Sequence, residues 1–289
     1  MKRIYLFFNQ FVIFRKILIL IYKIYGKKPF AWGYDQYKWE LIGDILCDKD
    51  MLGSFAEKNL PENIGIGIDE RVVEYGWIFS SIEENKSEKV LDAGSVFNFL
   101  EILNLNLLKN KKLTIFTYYP ETVSYNNKQV SYVYGDLRGM PFRDEYYDKI
   151  ICQSTIEHVD MDNSIYGYKI KNSGNKVVKN YEYLKVIAEL YRILKKDGML
   201  FVTFPFGKFE NHGFFQQFDS EMLGRIKEFL KDKGELEVDF FKYSKNGWNL
   251  CKENDCADVI SHNPHTGMGK GDDGAAHCRA VCCIKFSKK

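Results

Sequence analysis

The sequence predicts a doubly wound α/β fold, in which helices cover both faces of a mainly parallel sheet. Three observations lead to this prediction. Short apolar runs alternate with helical patterns from residue 71 onward, a glycine turn follows the first of these runs, and polar residues collect just after several of them. Ligands in such sheets bind beyond the carboxyl ends of the strands, so these polar residues form the candidate site.

A helical pattern over residues 71–84 leads into the first strand, turn and helix. The run KVLDA at 89–93 is predicted to be a strand, Gly94 a turn, and residues 97–109 a helix. Glycine lets the backbone approach a ligand closely, and a helix N-terminus presents free N–H groups. The full G-x-G-x-x-G motif is absent from this turn, which argues against a nicotinamide dinucleotide.

The later units continue the alternation. An amphipathic pattern over residues 181–194 ends in Lys-Lys-Asp-Gly, basic residues followed by a glycine stop, and is predicted to be a helix. Five further apolar runs have the composition of strands, and they occupy residues 112–117, 130–134, 147–153, 199–204 and 279–286.

The composition is that of a globular protein, with 45% hydrophobic and 28% charged residues. A net charge of +2 carries no polyanion signature, so we expect no nucleic-acid partner. The seven cysteines are odd in number and unevenly spaced, which indicates a reducing, cytoplasmic compartment. Five of them crowd the end of the chain, but their spacings fit no standard zinc finger, and we expect no metal.

Residues 1–25 are unusual. They are mostly apolar from residue 4 onward, while Lys2, Asn9, Lys16 and Lys23 recur every seven residues and share one helical face. This pattern favours a helix that lies flat on an anionic membrane, giving peripheral contact at the inner membrane face. Packing on the protein itself or on a second subunit is the other interpretation. Charged residues in the middle of the segment argue against a membrane span.

Three segments of the chain resemble a known family. They are VLDAGS at 90–95, GDLRGMPFRDEYYDKIICQSTIEHV at 135–159 and ELYRILKKDGMLFVTFPFG at 189–207. In this order and spacing they resemble the class I S-adenosylmethionine-dependent methyltransferases, in the small-molecule, type 11-like branch. The resemblance implies a Rossmann-like sheet of seven strands and S-adenosyl-L-methionine as cofactor. Similar motifs occur among bacterial surface-glycan genes, which implies a role in polysaccharide biosynthesis.

The resemblance also implies which residues hold the cofactor. The glycine motif lines its methionine part, and the carboxylate after the third strand accepts a hydrogen bond from the adenine amine. A helix before the first strand covers the cofactor, and the loop after the fourth strand forms the floor of the pocket. The implied cofactor-binding residues are Glu74, Tyr75, Asp92, Gly94, Ser95, Glu121, Asp136, Leu137 and Ser154.

Two departures from the family pattern affect this assignment. The glycine-rich loop is reduced to one glycine, Gly94, and Thr117 stands where an acid usually ends the second strand. Glu121 follows four residues later and is predicted to loop back toward the ribose hydroxyls, which need an acceptor. A surface glutamate is the alternative for Glu121.

Methyl transfer to a hydroxyl needs a base, and His158, at the end of the fourth strand, is the first candidate. A scaffold residue packed over the cofactor is the other interpretation of His158. Asp160 is the second catalytic candidate. Asp162 and Asn163 are predicted to bind the hydroxyls of a sugar substrate, or a metal that holds one, with a solvated helix cap as the alternative for the cluster.

His212 and Gln217 follow the fifth strand in a loop that is expected to face the acceptor. Phe214, Phe215 and Phe218 accompany them. Aromatic rings with polar groups suit a saccharide platform, and they suit a packed lid equally well.

These observations divide the chain into an N-terminal extension, residues 1–70, and a methyltransferase domain, residues 71–289. The first functional hypothesis is a methyltransferase that O-methylates a sugar, sugar phosphate or glycolipid precursor. The second is a non-catalytic, methyltransferase-like binding or assembly subunit, which the reduced glycine loop and the missing acid favour. The sequence identifies neither the acceptor atom nor the oligomeric state.

Overall fold

The computed structural model describes residues 12–125, 128–166 and 178–289. The helices of these residues are α1 (Val12–Ile24), α2 (Tyr34–Cys47), α3 (Lys49–Ala56), α4 (Arg71–Phe79), α5 (Leu100–Leu103), α6 (Tyr183–Ile193), α7 (Ser220–Leu230) and α8 (Glu253–Cys256). The strands are β1 (Glu88–Ala93), β2 (Lys111–Thr117), β3 (Ser131–Tyr134), β4 (Tyr147–Gln153), β5 (Leu194–Pro205), β6 (Glu210–Asn211), β7 (Gln216–Gln217), β8 (Gly234–Ser244), β9 (Gly247–Cys251) and β10 (Ala280–Lys288). Short 3-10 turns occupy Asn106–Leu108, Ile156–His158 and Asn163–Tyr166.

Eight strands form one sheet in the order β3-β2-β1-β4-β5-β10-β8-β9. Strands β1 to β5 are parallel, whereas β10 is antiparallel to both of its neighbours, β5 and β8. The doubly wound, Rossmann-like prediction is therefore confirmed. The sheet has one strand more than the seven expected because β9 folds back on β8 as a hairpin.

The two faces of the sheet are covered by different helices. One core cluster joins α2, α3 and α4 to the sheet and contains Trp39 and Tyr75. The other lies under α6 and α7 and contains Ile187. Val90 and Leu91 of β1 fall in different clusters because successive side chains of a strand point to opposite faces. Helices α2 and α3 of the N-terminal extension thus share a core with the sheet.

Three elements differ from their predicted bounds. The helix predicted over 97–109 is only the short α5 followed by a 3-10 turn, because Leu105 between them is extended, with ψ at 137°. Asparagines in this segment compete with helical hydrogen bonds. Helix α4 ends at Phe79. The predicted glycine stop after α6 is instead a bulge at the start of β5, where residues 195–198 leave the pairing with β4 and Asp197 has φ at 60°.

A buried ion cluster joins β1, β2 and β4 near their amino ends. Glu88 Oε1 lies 2.6 Å from Lys149 Nζ, and Glu88 Oε2 lies 2.8 Å from Lys111 Nζ. All three residues are at least nine-tenths buried. Since an unpaired buried charge is strongly destabilising, this cluster fixes the stagger of the three strands at the edge of the sheet opposite the carboxyl ends.

Helix α1 packs on the protein through one side. Ile19 and Tyr22 are buried, and the Tyr22 hydroxyl lies 3.0 and 3.1 Å from the carbonyl oxygens of Lys27 and Gly67. The other side of α1 is exposed, although it is rich in large apolar residues. No helix among the described residues is long and apolar enough to cross a membrane. Of the heptad-spaced polar residues, Lys2 and Asn9 lie outside the described ranges.

Candidate functional site

The loop after β1 is held by the carboxylate of Asp92. Its Oδ1 accepts a hydrogen bond from the amide of Val96 (3.1 Å), and its Oδ2 accepts one from the amide of Phe97 (2.7 Å). Asp92 is fully buried, and burial raises its pKa to about 7, against the two amide bonds, which lower the pKa. The carboxylate thus folds the loop back over the carboxyl end of β1.

A glycine is required at position 94 because the loop after β4 lies very close to its backbone. Its φ is +137°, and a Cβ on this residue would lie 2.1 Å from Thr155 Oγ1. Its amide donates to the carbonyl of Phe116 in β2 (2.9 Å). The single glycine of the motif therefore lies where the loops after β1 and β4 meet.

Ser95 presents a polar atom that the described residues do not satisfy. Its Oγ is buried without a hydrogen-bond partner, and its φ of 62° is in the left-handed region. Beside it, the hydroxyl of Tyr75 on α4 donates to the carbonyl of Val96 (2.5 Å). Helix α4 and the loop after β1 are thereby joined, as expected for a helix that covers this end of the sheet.

Glu74 on α4 accepts hydrogen bonds from four side chains. Its Oε1 accepts from Ser154 Oγ (2.6 Å) and Thr203 Oγ1 (2.5 Å), while its Oε2 accepts from Gln153 Nε2 and Arg71 Nη1, both at 3.0 Å. Glu74 is fully buried. Glu74 thus joins α4 to the ends of β4 and β5, while cofactor binding by Glu74 and Ser154 stays a prediction.

Asp136, the predicted adenine ligand, is paired with Arg138. The guanidinium lies across both carboxylate oxygens, with Nη2 2.7 Å from Oδ2 and Nε 3.1 Å from Oδ1. Burial raises the pKa of Asp136, but the hydrogen bonds and charge of Arg138 outweigh it and hold that pKa below its ordinary value. Arg138 Nη1 also contacts Asp160 (3.2 Å) and Glu182 (3.0 Å). Neighbouring Leu137 is half-buried and packs on the core.

Glu121 lies near the first loop. Its charge raises the pKa of Asp92 and of Tyr132 on β3. The loop-back of Glu121 toward the ribose hydroxyls stays a prediction.

His158 lies under the aromatic loop that follows β5. Its Nδ1 is 2.7 Å from the carbonyl oxygen of Phe214, and its ring stacks on that of Phe214, with centroids 5.8 Å apart. Because a carbonyl only accepts, Nδ1 carries the proton and Nε2 holds the lone pair. Burial lowers the pKa of His158 to about 4, against the bond to Phe214, which raises it. His158 is therefore a neutral imidazole at neutral pH.

The polar cluster after His158 forms a turn. Asp162 is exposed, and its Oδ1 accepts from the amide of Ser164 (3.0 Å). Asn163 donates to the carbonyls of His158 (2.9 Å) and Met161 (3.1 Å). These contacts match the capping alternative, while Asp160 remains exposed on the pair with Arg138. Sugar binding by Asp162 and Asn163 stays a prediction.

His212 and Gln217 need correction, because the structure places both inside the protein rather than facing an acceptor. His212 is enclosed, stacked on Phe215 at 4.2 Å, with Nε2 3.3 Å from Glu210. The Gln217 amide nitrogen donates to the carbonyls of Lys208 and Val259, both at 2.7 Å, and its oxygen accepts from Ser261. Of the two alternatives for this loop, the packed lid fits these contacts.

Several site residues were missed by sequence reasoning. Arg71 carried a signal, since it precedes Glu74 by three residues on one helix, a spacing that places both side chains together. No signal in the sequence identified Arg138 or Thr203 as site residues, because only the folded sheet brings them to the carboxyl ends of the strands. Glu70 and His277, which lie 3.1 Å apart, are joined only by the tertiary structure.

Part of the chain that contains the candidate site is similar to a known protein family. Residues 94–202, less than half of the chain, match the family model described as a methyltransferase domain. The match covers the loop after β1 from Gly94 onward, the Asp136 segment and the His158 turn. No curated protein matches the chain.

Several solved structures are similar to part of this chain. A SAM-dependent methyltransferase from Archaeoglobus fulgidus is 13% identical, covering 83% of this chain and 100% of its own, with a TM-score of 0.45. One from Methanosarcina mazei is 13% identical, covering 73% and 96%, with a TM-score of 0.42. A candidate methyltransferase from Bacillus halodurans is 17% identical, covering 72% and 94%, with a TM-score of 0.41.

Gly94→Ala tests the contact between the two loops. We expect the free energy of unfolding to fall by about 1–3 kcal/mol, because the new methyl group overlaps Thr155 in a left-handed conformation. Gly224→Ala is the control, since Gly224 is exposed on α7 with open space around its Cα. That change should stabilise the protein by about 0.5–1 kcal/mol. Denaturant unfolding measures both, and equal effects would contradict the assigned close approach.

Proposed function

We propose that this protein is an S-adenosylmethionine-dependent methyltransferase. The observation that carries the proposal is the loop after β1, which Asp92 folds over the strand end and in which Gly94 meets Thr155. A backbone loop at this place in a doubly wound sheet is where such folds bind nucleotide ligands.

The residues present fit the cofactor. Ser95 Oγ is a buried hydroxyl without a partner in the part of the chain that the structure describes, and a bound polar group would satisfy it. Asp136 and Glu121 add carboxylates, acceptors for an amine and for hydroxyls. When bound, the cofactor supplies an electrophilic methyl group. The chain's own contribution is to orient it, to exclude water beneath α4, and to hold the acceptor in line.

We propose a sugar, sugar phosphate or glycolipid precursor as acceptor, methylated at a hydroxyl. Neutral His158 supports a hydroxyl acceptor, because a neutral imidazole can take a proton, whereas a charged imidazolium cannot. The partly exposed ring of Phe214 stacks on His158, and an aromatic face suits the apolar face of a sugar.

Calorimetry with S-adenosyl-L-methionine tests the function. The wild-type protein should bind, and Asp136→Asn should weaken binding by about 1–3 kcal/mol, the range for a lost charge-assisted hydrogen bond. Asp144→Asn is the matched control, since Asp144 also pairs with an arginine, 2.7 Å from Arg192, and belongs to no predicted ligand set. It should bind like wild type.

Two results would count against these assignments. Absence of wild-type binding at high micromolar cofactor would favour the non-catalytic binding or assembly subunit. Equal affinity of Asp136→Asn and wild type, with both folded, would remove Asp136 from the site.

His158→Ala tests the base. We expect kcat to fall by about 10²–10⁴-fold with cofactor affinity nearly unchanged. The wild-type rate should not change through pH 6.5 on account of His158, but should fall as pH drops through about 4, where the imidazole gains its proton. Glu70, Arg71 and His277 act on the same pKa, and Glu157 Oε1 lies 3.8 Å from His158 Nε2.

His262→Ala is the control for that experiment, because the His262 ring lies 3.1 Å from the carbonyl of Ala275, and the backbone bond from His262 to His277 is kept in the variant. Circular dichroism at each pH separates loss of rate from acid unfolding. If His158→Ala instead lowers cofactor affinity or thermal stability and kcat is retained, His158 is a scaffold residue.

We further propose that α1 attaches the protein to an anionic membrane surface, which would bring the site to lipid-linked acceptors. The outward side of α1 is apolar, whereas a helix that only packs on its own domain is polar on that side. Lys16 and Lys23 add positive charge, worth about 1 kcal/mol each near an anionic surface. The exposed apolar residues here are Val12, Ile13, Phe14, Ile17, Leu20, Ile24 and Tyr25.

Removing residues 1–25 would confound a membrane test, because buried Tyr22 would be lost with them. The combined change Ile13→Ser, Ile17→Ser and Leu20→Ser alters exposed positions only. We expect binding to anionic vesicles to fall by about 100-fold, from roughly 1 kcal/mol of lost burial at each site. Cosedimentation measures it, with exposed Ile260→Ser and Val178→Ser as controls.

Unchanged vesicle binding in the triple variant would contradict membrane attachment through α1. If wild type instead forms a dimer that the triple variant loses, the apolar side of α1 packs on a second copy.

A further inference from the structure

Three side chains with different ligand atoms converge beside His158. Glu70 immediately precedes α4, while His277 and Cys278 come just before β10. The carboxylate oxygen, imidazole nitrogen and thiol sulfur all lie within 4.8 Å of one another. Glu70 and Cys278 are buried, and about one fifth of the His277 side chain is exposed, at 21%.

We propose that Glu70, His277 and Cys278 bind a divalent transition-metal ion of the zinc type. Bonds of about 2.0–2.3 Å in a tetrahedral site place ligand atoms roughly 3.3–3.7 Å apart, so the three atoms reach one ion with small side-chain adjustments. A sulfur–nitrogen–oxygen set suits zinc. Calcium and magnesium prefer oxygen ligands throughout.

An unsatisfied oxygen points independently to a cation. Glu70 Oε1 is 3.1 Å from His277 Nδ1, but Glu70 Oε2 is buried without a hydrogen-bond partner among the described residues. A buried carboxylate oxygen left without a partner is destabilising, and a cation would satisfy it. A simple Glu–His pair accounts for one oxygen of Glu70 only.

The position of the cluster relates it to the acceptor. The Phe215 ring lies 5.2 Å from the ring of His277 and 6.2 Å from that of His158, so it stands between them. Three protein ligands leave one tetrahedral position open, the pattern of zinc sites that take a water or a substrate oxygen. The placement of an acceptor oxygen in that position depends on the proposed function, whereas the binding of the ion does not.

Cobalt(II) absorption tests the site in the full chain. After chelation and removal of metals, titration with Co²⁺ should give one bound ion with a thiolate-to-cobalt charge-transfer band. Cys278→Ser should abolish the band, and His277→Gln should weaken Co²⁺ affinity by at least about 10-fold. Circular dichroism and thermal melting confirm that each variant is folded.

Two control variants separate this site from other thiols. Cys283→Ser alters a buried cysteine of β10, and Cys256→Ser alters the pair in which Cys251 Sγ and Cys256 Sγ are 3.2 Å apart. Both should keep the band. Absence of the band in wild type, its survival in Cys278→Ser, or its loss in Cys256→Ser would each overturn the proposal. Should Cys278→Ser fail to fold, unchanged Co²⁺ affinity in His277→Gln overturns it equally.

Discussion

The buried carboxylate of Glu74 is the interaction on which the rest of the site depends. It joins α4 to the ends of β4 and β5 through Ser154, Gln153 and Thr203, with Arg71 balancing its charge. Breaking a buried charged network from one side typically costs about 3–5 kcal/mol, because the remaining groups are left unpaired. The position of the covering helix is therefore set by polar bonds, in addition to apolar packing.

That fixed helix determines the loop after β1. Tyr75, one residue beyond Glu74, donates to Val96, and Asp92 holds the same loop from the strand side. The loop is thus bound from above and below, and a single glycine suffices where the family pattern has several. At the opposite edge, the Glu88 cluster fixes the strand stagger, so the sheet is anchored at both of its ends.

Burial shifts the pKa values of Asp92 and His158 in opposite directions. It raises the pKa of Asp92 to about 7 and lowers that of His158 to about 4, because the charged form is disfavoured in both. The Asp92 carboxylate accepts hydrogen bonds from two backbone amides and thereby holds the loop after β1. His158 stays neutral, with its protonated nitrogen on Phe214 and its other nitrogen turned away from that carbonyl. Burial therefore favours the neutral form of both groups, although Asp92 holds the loop and His158 is the candidate base.

The sequence by itself determined the alternation of strands and helices between residues 71 and 205, the polar residues at the strand ends and the glycine at the first turn. Those features depend on local periodicity and on backbone conformations that are read residue by residue. The tertiary structure alone decided which polar residues are buried against each other. The sequence predicted that Gln217 binds the acceptor, but in the structure its amide nitrogen donates to two backbone carbonyls.

Glu70 and His277 are 207 residues apart and meet only because β10 inserts antiparallel beside β5, near the start of α4. Such contacts depend on long-range packing, for which one sequence carries no local signal.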